Sequence, residues 1–160
     1  MKLRYLCLAA APLVPLFVGG CASPAPASYQ PVATRFYLES RPGEVASTVT
    51  LPRSGVAIPV NGGPVLLESD IAHVDLVQVD LGRCLLVQLK PAAARDLQRM
   101  AYAAAGRRLV LVVDGRPLGA RRVDPSLADG NLMIFVELAD ERLPDLVRRL
   151  RQTPPTSSVG

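Results

Sequence analysis

The densest group of side chains that could do chemistry is the segment ESDIAHVD, with Glu68, Ser69, Asp70, His73 and Asp75. A hydroxyl, an imidazole and a carboxylate are the parts of a nucleophilic hydrolase. These residues are close neighbours along the chain, and no nucleophile elbow accompanies them. One histidine among scattered acids is not a metal-ligand pattern. The segment is typical of a turn capped by Ser69 or Asp70, with one surface histidine, so we expect no catalytic residue, no cofactor and no metal. A small envelope hydrolase is the alternative.

The three cysteines differ in their surroundings. Cys7 lies within an N-terminal apolar run, and Cys21 follows directly after that run. Cys84 begins CLLVQL, a strand-like segment. This pattern favours a small buried core residue over a catalytic thiol, because His73 is the only histidine that could serve as its base.

Residues 1–20 are organised as a signal peptide: a positive MKLR, about fourteen apolar residues and two small glycines. The run is shorter than the roughly twenty residues of a spanning helix, and it contains two prolines. The segment VGGC at positions 18–21 resembles the bacterial lipobox, although Gly19 replaces the usual Ala or Ser. The resemblance implies that Cys21 receives diacylglyceryl lipid and becomes the first residue of the mature protein. An ordinary secretory signal peptide near a chance cysteine is the alternative.

Residues 21–33 are rich in Pro, Ala and Ser, which predicts a semi-extended linker between the lipid and a domain. Under the familiar lipoprotein-sorting rule, Asp after the lipidated cysteine retains a protein in the inner membrane. Ala22 at that position therefore favours the outer membrane. With Cys7 removed and Cys21 acylated, Cys84 has no partner for an internal disulfide. The predicted location is the cell envelope, lipid-anchored and facing the periplasm.

The charge pattern argues against nucleic-acid binding. The 160 residues have a net charge of +4, which falls by two when Lys2 and Arg4 leave with the signal peptide. Nucleic-acid binding requires a concentrated basic stripe, which such a domain lacks. The polar side chains that cluster in this sequence are arginines. They form either a solubilising surface or a contact surface for an anionic partner. The candidate partner surface consists of Arg107, Arg121, Arg148 and Arg149.

Local patterns place one globular domain at residues 34–151, followed by a frayed tail at 152–160. From His73 onward they predict the order strand–strand–helix–strand–strand–strand–helix. The helix PAAARDLQRM begins at Pro91, DG predicts a tight hairpin turn, and LMIFVEL predicts a strand over 132–138. Asp140 is predicted to cap the last helix. The fold class is α+β, with an antiparallel sheet and two helices on one face.

Three pieces of this domain together resemble the periplasmic head subdomain of SecD, an accessory subunit of the bacterial preprotein translocase. They are ESDI, LVQLKPAAARDLQRM and GRRLVLVVDGRPLGARRV, and the closing LADERLPDLVRRL also corresponds. The helix start KPAAA and the segment GARR depart from the family pattern. The resemblance implies the fold and contacts with proteins, including extended or partly folded chains. It does not imply the pulling activity, which requires transmembrane helices that no segment here resembles.

The sequence therefore predicts a lipid-anchored, non-catalytic protein-binding or adaptor module of the periplasmic envelope. A link to protein export stays open. The expected partners are the membrane, through the lipid, and envelope proteins or extended polypeptides. No small-molecule substrate is identified. A passive structural lipoprotein is a further alternative.

Overall fold

The computed structural model describes residues 32–124, 127 and 129–151. The predicted signal peptide, most of the linker, Cys21 and the predicted tail lie outside these residues. Within them the chain forms eight strands and two α-helices. The elements are β1 (Thr34–Leu38), β2 (Ala46–Thr50), β3 (Ala57–Asn61), β4 (Ile71–Val79), β5 (Gly82–Leu89), α1 (Pro91–Ala103), β6 (Arg108–Val113), β7 (Arg116–Arg122), β8 (Asn131–Ile134) and α2 (Leu143–Arg151).

All strand pairs are antiparallel, and they form three hydrogen-bonded groups in the orders β1-β6-β7, β2-β3 and β4-β5-β8. The β2–β3 hairpin is joined to the end of β1 by a bridge between Glu39 and Val60. The Ser40 N–H also donates to the carbonyl of Pro59 at 2.9 Å. The predicted element order from His73 onward is confirmed.

One large core lies between the strands and the helices. Helix α1 contributes Leu97 and helix α2 contributes Leu146, and both side chains join the same buried cluster as Leu85 of β5 and Leu111 of β6. Burying such side chains supplies the main driving force for folding, about 25 cal/mol per Å² of apolar surface. The predicted α+β class, with two helices packed against antiparallel strands, is confirmed.

Helix α1 follows the predicted pattern closely. Pro91 occupies its first turn, where a missing backbone N–H costs nothing because that group has no intrahelical partner. Ala93, Leu97 and Ala101 recur at helical spacing and are all buried. The chain then turns away at Gly106, whose φ of +85° is accessible to glycine.

Two local predictions differ from the structure. Strand β8 ends at Ile134, whereas the sequence predicted a strand to residue 138. The chain leaves the sheet there because the Glu137 N–H bonds to the Leu118 carbonyl of β7 at 2.6 Å. The prediction that Asp140 caps the last helix was wrong. Ala139 is the capping residue of a 3₁₀ turn that contains Asp140, and α2 begins after that turn.

Candidate functional site

The ESDIAHVD segment is divided between a turn and a strand. Residues 68–70 form a 3₁₀ turn, and β4 begins at Ile71. The Asp70 carboxylate accepts a hydrogen bond from the Leu67 N–H at 2.9 Å. The capping residue is Leu67, not Ser69 or Asp70 as the sequence predicted; Asp70 stabilises the start of the turn from its third position.

The acidic neighbour of His73 is Asp75, whereas the hydrolase alternative would bring His73 together with Asp70. Its Nε2 lies 3.2 Å from the Asp75 carboxylate, and its side chain is about half exposed. Asp75 also pairs with Arg151, whose Nε donates to the Val74 carbonyl at 2.7 Å. Asp70 bonds to its own turn, whereas His73 pairs with Asp75. The His73–Asp75–Arg151 cluster instead fixes the end of α2 to β4.

The described residues contain no group of three or more His, Cys, Asp or Glu side chains placed to hold a metal ion. Cys84 is fully buried, as the sequence predicted. Burial raises the pKa of its thiol, and the nearby positive charge of Arg121 opposes that shift only in part. A buried thiol of raised pKa is a poor nucleophile at neutral pH.

Two of the four predicted partner-surface arginines lie toward the open end of the β6–β7 hairpin. The Arg107 Nε donates to the Glu39 carbonyl at 2.6 Å, and its guanidinium lies 3.6 Å from the Glu44 carboxylate. The Arg121 guanidinium donates to the Met133 carbonyl at 3.1 Å. Both side chains are largely buried and hold neighbouring strands together.

The other two arginines lie on α2, and α2 contacts the opposite end of this hairpin. Arg149 donates to the Asp114 carboxylate at 2.5 Å, and Arg148 donates to Asp145 at 2.5 Å. Asp114 lies one β6 length from Arg107, which is roughly 20 Å at the usual rise of a strand. The structure thus separates the four arginines into two groups, and a shared partner surface stays a prediction.

A cleft of about 740 Å³ with charged and apolar lining residues, which we call the ionic cleft, lies at the turn between β6 and β7. Asp114, Arg116, Arg142, Asp145 and Arg149 line it. Charges of both signs line it, and two of them form the Arg149–Asp114 ion pair. Its internal pairing suits it to holding the turn against α2.

An apolar groove of about 420 Å³ lies on the β4-β5-β8 sheet, at the turn between β4 and β5. Its walls include Val79, Leu81, Met133 and Phe135, and the buried Cys84 lies at its base. Leu81 is 85% exposed, Met133 44% and Phe135 42%. Three of the large apolar side chains that the described residues expose therefore gather in this one groove.

The chain builds this groove by strand alternation. On β8, Leu132 and Ile134 point into the core and are fully buried, so Met133 points to the opposite face. Phe135 follows two residues later, where β8 has ended. Leu81 is the second residue of the two-residue β4–β5 turn. Sequence reasoning missed the groove. Its signals in the sequence were Leu81 in a predicted turn and the alternation of buried and exposed positions in MIF, which follows the buried Leu132.

The fold is similar to that of solved SecDF structures. One, described as a membrane component SecDF that enhances protein export, aligns with a TM-score of 0.60 and 18% identity over 80% of this chain and 66% of that chain. A crystal structure of SecDF in a super-membrane-facing form gives a TM-score of 0.62 and 19% identity, and covers 80% of this chain. A SecDF structure from Thermus thermophilus gives a TM-score of 0.52 and 18% identity, and covers 78%.

The chain has a SecDF-like domain. The predicted resemblance to SecD is confirmed at the level of the fold. This chain spans only 20% of the length of the last two SecDF chains. Its sequence matches no protein-family model and no curated protein. Within the described ranges, no helix has both the length and the apolar content to cross a membrane.

Proposed function

We propose that this chain is a lipid-anchored lipoprotein of the periplasmic envelope, outer membrane rather than inner, whose domain binds other proteins without catalysis. We further propose that its work is linked to protein export. The observation that carries the binding role is the apolar groove formed by Leu81, Met133 and Phe135. The SecDF-like fold supports the export link, since a SecDF of this fold is described as enhancing protein export.

The occupant we propose is an extended polypeptide segment with apolar side chains. Small-molecule sites usually combine an apolar cavity with several converging polar groups, whereas this groove is open and mainly apolar. Exposed aromatic and methionine side chains are enriched where proteins meet. The flexible Met133 side chain suits partners of varied sequence. Asp80 at the groove provides one negative charge beside the apolar surface.

A labelled peptide of alternating leucine and serine tests the groove, with fluorescence anisotropy as the measurement. The full chain, reconstituted in lipid nanodiscs, is expected to bind this peptide and not the same peptide with every leucine replaced by serine. Leu81→Ser and Phe135→Ser should each weaken binding about tenfold, because each removes part of an apolar contact worth roughly 1.5–3 kcal/mol when fully buried.

Tyr102→Ser is the matched control for the groove. Tyr102 is 69% exposed on α1 and does not line the groove, so this change should leave the affinity unaltered. Equal affinities in the wild type and in both groove variants would refute binding at this site.

The anchor requires a separate test at Cys21. The residues after Cys21 are rich in Pro, Ala and Ser, a composition suited to a linker between the lipid and the domain. Intact-mass spectrometry should find acyl chains on the wild type and none on Cys21→Ser. Membrane fractionation should then find the variant in the soluble fraction. A wild-type mass without acyl chains would remove the anchor from the proposal.

A further inference from the structure

Strand β2 is an edge strand with one side free. It pairs with β3 on one side, and no other strand in the described part of the chain lies along its second side. Edge strands are usually protected by charges, prolines, bulges or covering loops. The five residues Ala46–Thr50 contain no charge, no proline and no glycine. An unprotected edge of this kind can accept another strand.

Pro59 determines which backbone groups of β2 point outward. Thr48 lies opposite Pro59 in the β2–β3 register. Pro59 has no N–H, and its carbonyl accepts from the Ser40 N–H of the neighbouring segment. The Thr48–Pro59 pair is therefore a non-hydrogen-bonded pair, so the N–H and C=O of Thr48 point to the free side. By alternation the same holds for Ala46 and Thr50.

The residues of β2 whose backbone N–H and C=O groups point to the free side are Ala46, Thr48 and Thr50, which are arranged symmetrically about Thr48. Two antiparallel copies of β2 can therefore pair with Thr48 opposite Thr48 and with Ala46 opposite Thr50 in both directions. Each of these hydrogen-bonded pairs exchanges two bonds, so a twofold dimer would form about six new hydrogen bonds. A twofold interface requires such a self-complementary surface.

The side chains favour the same register. Val45 is 95% exposed, and this pairing places it opposite Leu51 of the second copy. Leu51 belongs to the small apolar cluster beneath the β2–β3 hairpin, and Val49 packs against that cluster.

We propose that two copies of this chain pair through β2 into a twofold-symmetric dimer. The occupant is a second copy because the outward hydrogen-bonding groups and the exposed Val45 both match in the self-paired register. This inference concerns a surface separate from the apolar groove. Its outcome therefore does not depend on the proposed function.

Disulfide trapping at the twofold axis tests the register in membranes that contain the full chain. In a hydrogen-bonded antiparallel pair the Cα atoms lie about 5.5 Å apart, within the range of a disulfide. Two Thr48→Cys copies should therefore cross-link. Ser47→Cys is the matched control, because residue 47 lies opposite residue 49 and its own copies are about 8 Å apart, beyond disulfide range. The chain without either substitution shows how much cross-linked dimer its native cysteines form.

The Thr48→Cys dimer should exceed the Ser47→Cys dimer by about tenfold on a non-reducing gel. Equal yields would overturn the proposed register. Cross-linking of Thr48→Cys to a different protein in place of its own copy would overturn the choice of occupant.

Sedimentation of the full chain in detergent provides a second measurement. Thr48→Lys would place two like charges directly opposite each other at the axis, which destabilises strand pairing. This variant should sediment as a monomer, whereas Ala92→Lys, on the exposed surface of α1, should remain a dimer like the wild type. A monomeric wild type at every concentration would contradict the proposal.

Discussion

Two tight turns of the domain have the same length, but one is held by polar contacts and the other exposes an apolar side chain. Asp80 and Leu81 join β4 to β5, whereas Asp114 and Gly115 join β6 to β7. The Asp114 carboxylate accepts from the Ala33 N–H at 3.1 Å and from Arg149 at 2.5 Å. The first turn instead leaves Leu81 85% exposed beside the apolar groove.

The comparison shows that surroundings, and not turn length, decide what a hairpin tip contributes. The β6–β7 turn is held by the start of the domain and by its last helix, so changes there should reduce stability. The β4–β5 turn presents an apolar side chain to solvent, so changes there should reduce binding while stability stays nearly constant.

The largest effect is expected where β7 meets the groove, at Gly119. A Cβ at this position would lie 2.2 Å from the Phe135 backbone oxygen, and a backbone atom cannot rotate away as a flexible side chain can. Gly119→Ala should lower the free energy of unfolding by about 1–3 kcal/mol, the usual cost of overpacking. It should also weaken peptide binding by displacing Phe135. Urea denaturation and anisotropy measure the two effects.

Gly62→Ala is the control for Gly119→Ala. A Cβ on Gly62 would meet no atom within 4 Å, and its φ lies outside the left-handed region. Equal stability of the two alanine variants would contradict the close contact between Gly119 of β7 and the Phe135 backbone.

A smaller loss of stability is expected at the first residue of the β6–β7 turn. Asp114 has a φ of +48°, which costs an alanine roughly 1–2 kcal/mol, and its carboxylate has the two partners named above. Asp114→Ala should therefore destabilise by about that amount in chemical denaturation. Asp80→Ala, at the equivalent place in the exposed β4–β5 turn, should change stability by less than about 0.5 kcal/mol. Equal losses would remove the distinction between the two turns.

The smallest effect is expected at the open end of the β6–β7 hairpin, and it should depend on pH. Glu39 bonds the Arg108 guanidinium at 2.6 and 3.0 Å. These hydrogen bonds lower the pKa of Glu39, outweighing the opposing effect of burial. A carboxyl whose pKa is lower in the folded state stabilises fully above its unfolded pKa, about 4.3. That stabilisation disappears as the pH falls through the lowered pKa.

Glu39→Gln should consequently cost roughly 1 kcal/mol near pH 7. The difference from wild type should shrink below about pH 4. Denaturation curves over this pH range measure it. Glu141→Gln, at an exposed position, is the matched control and should show little difference at either pH. A wild-type advantage that grows on acidification would contradict the sign.

The sequence predicted those parts of the fold that depend on local patterns. The stripe of Leu97 and its neighbours indicated α1, and Pro91 indicated where the helix begins. The DG pair indicated the β6–β7 turn, where both residues have positive φ. In each case the chemistry that selects the structure lies within a few residues of the chain.

The parts that were missed depend on distant contacts. Strand β8 ends early because its continuation meets β7 near Gly119, which no local pattern reveals. The apolar groove joins Leu81 to Phe135, residues far apart in the chain. Likewise, the partners of the arginines come from other elements, so Arg107 and Arg149 could be recognised as cationic but not assigned to opposite ends of a hairpin.

The pairing of β1 with β6 has a consequence for how the chain folds. Leu38 ends β1, and its partner strand begins at Arg108, 70 residues later. Loop closure over such a separation is entropically costly and slows folding. Until β6 is available, Phe36 cannot reach its fully buried position. During synthesis the bridges from Phe36 to Leu66 and from Glu39 to Val60 can form early, whereas the full pairing of β1 must wait for a late strand to complete its sheet.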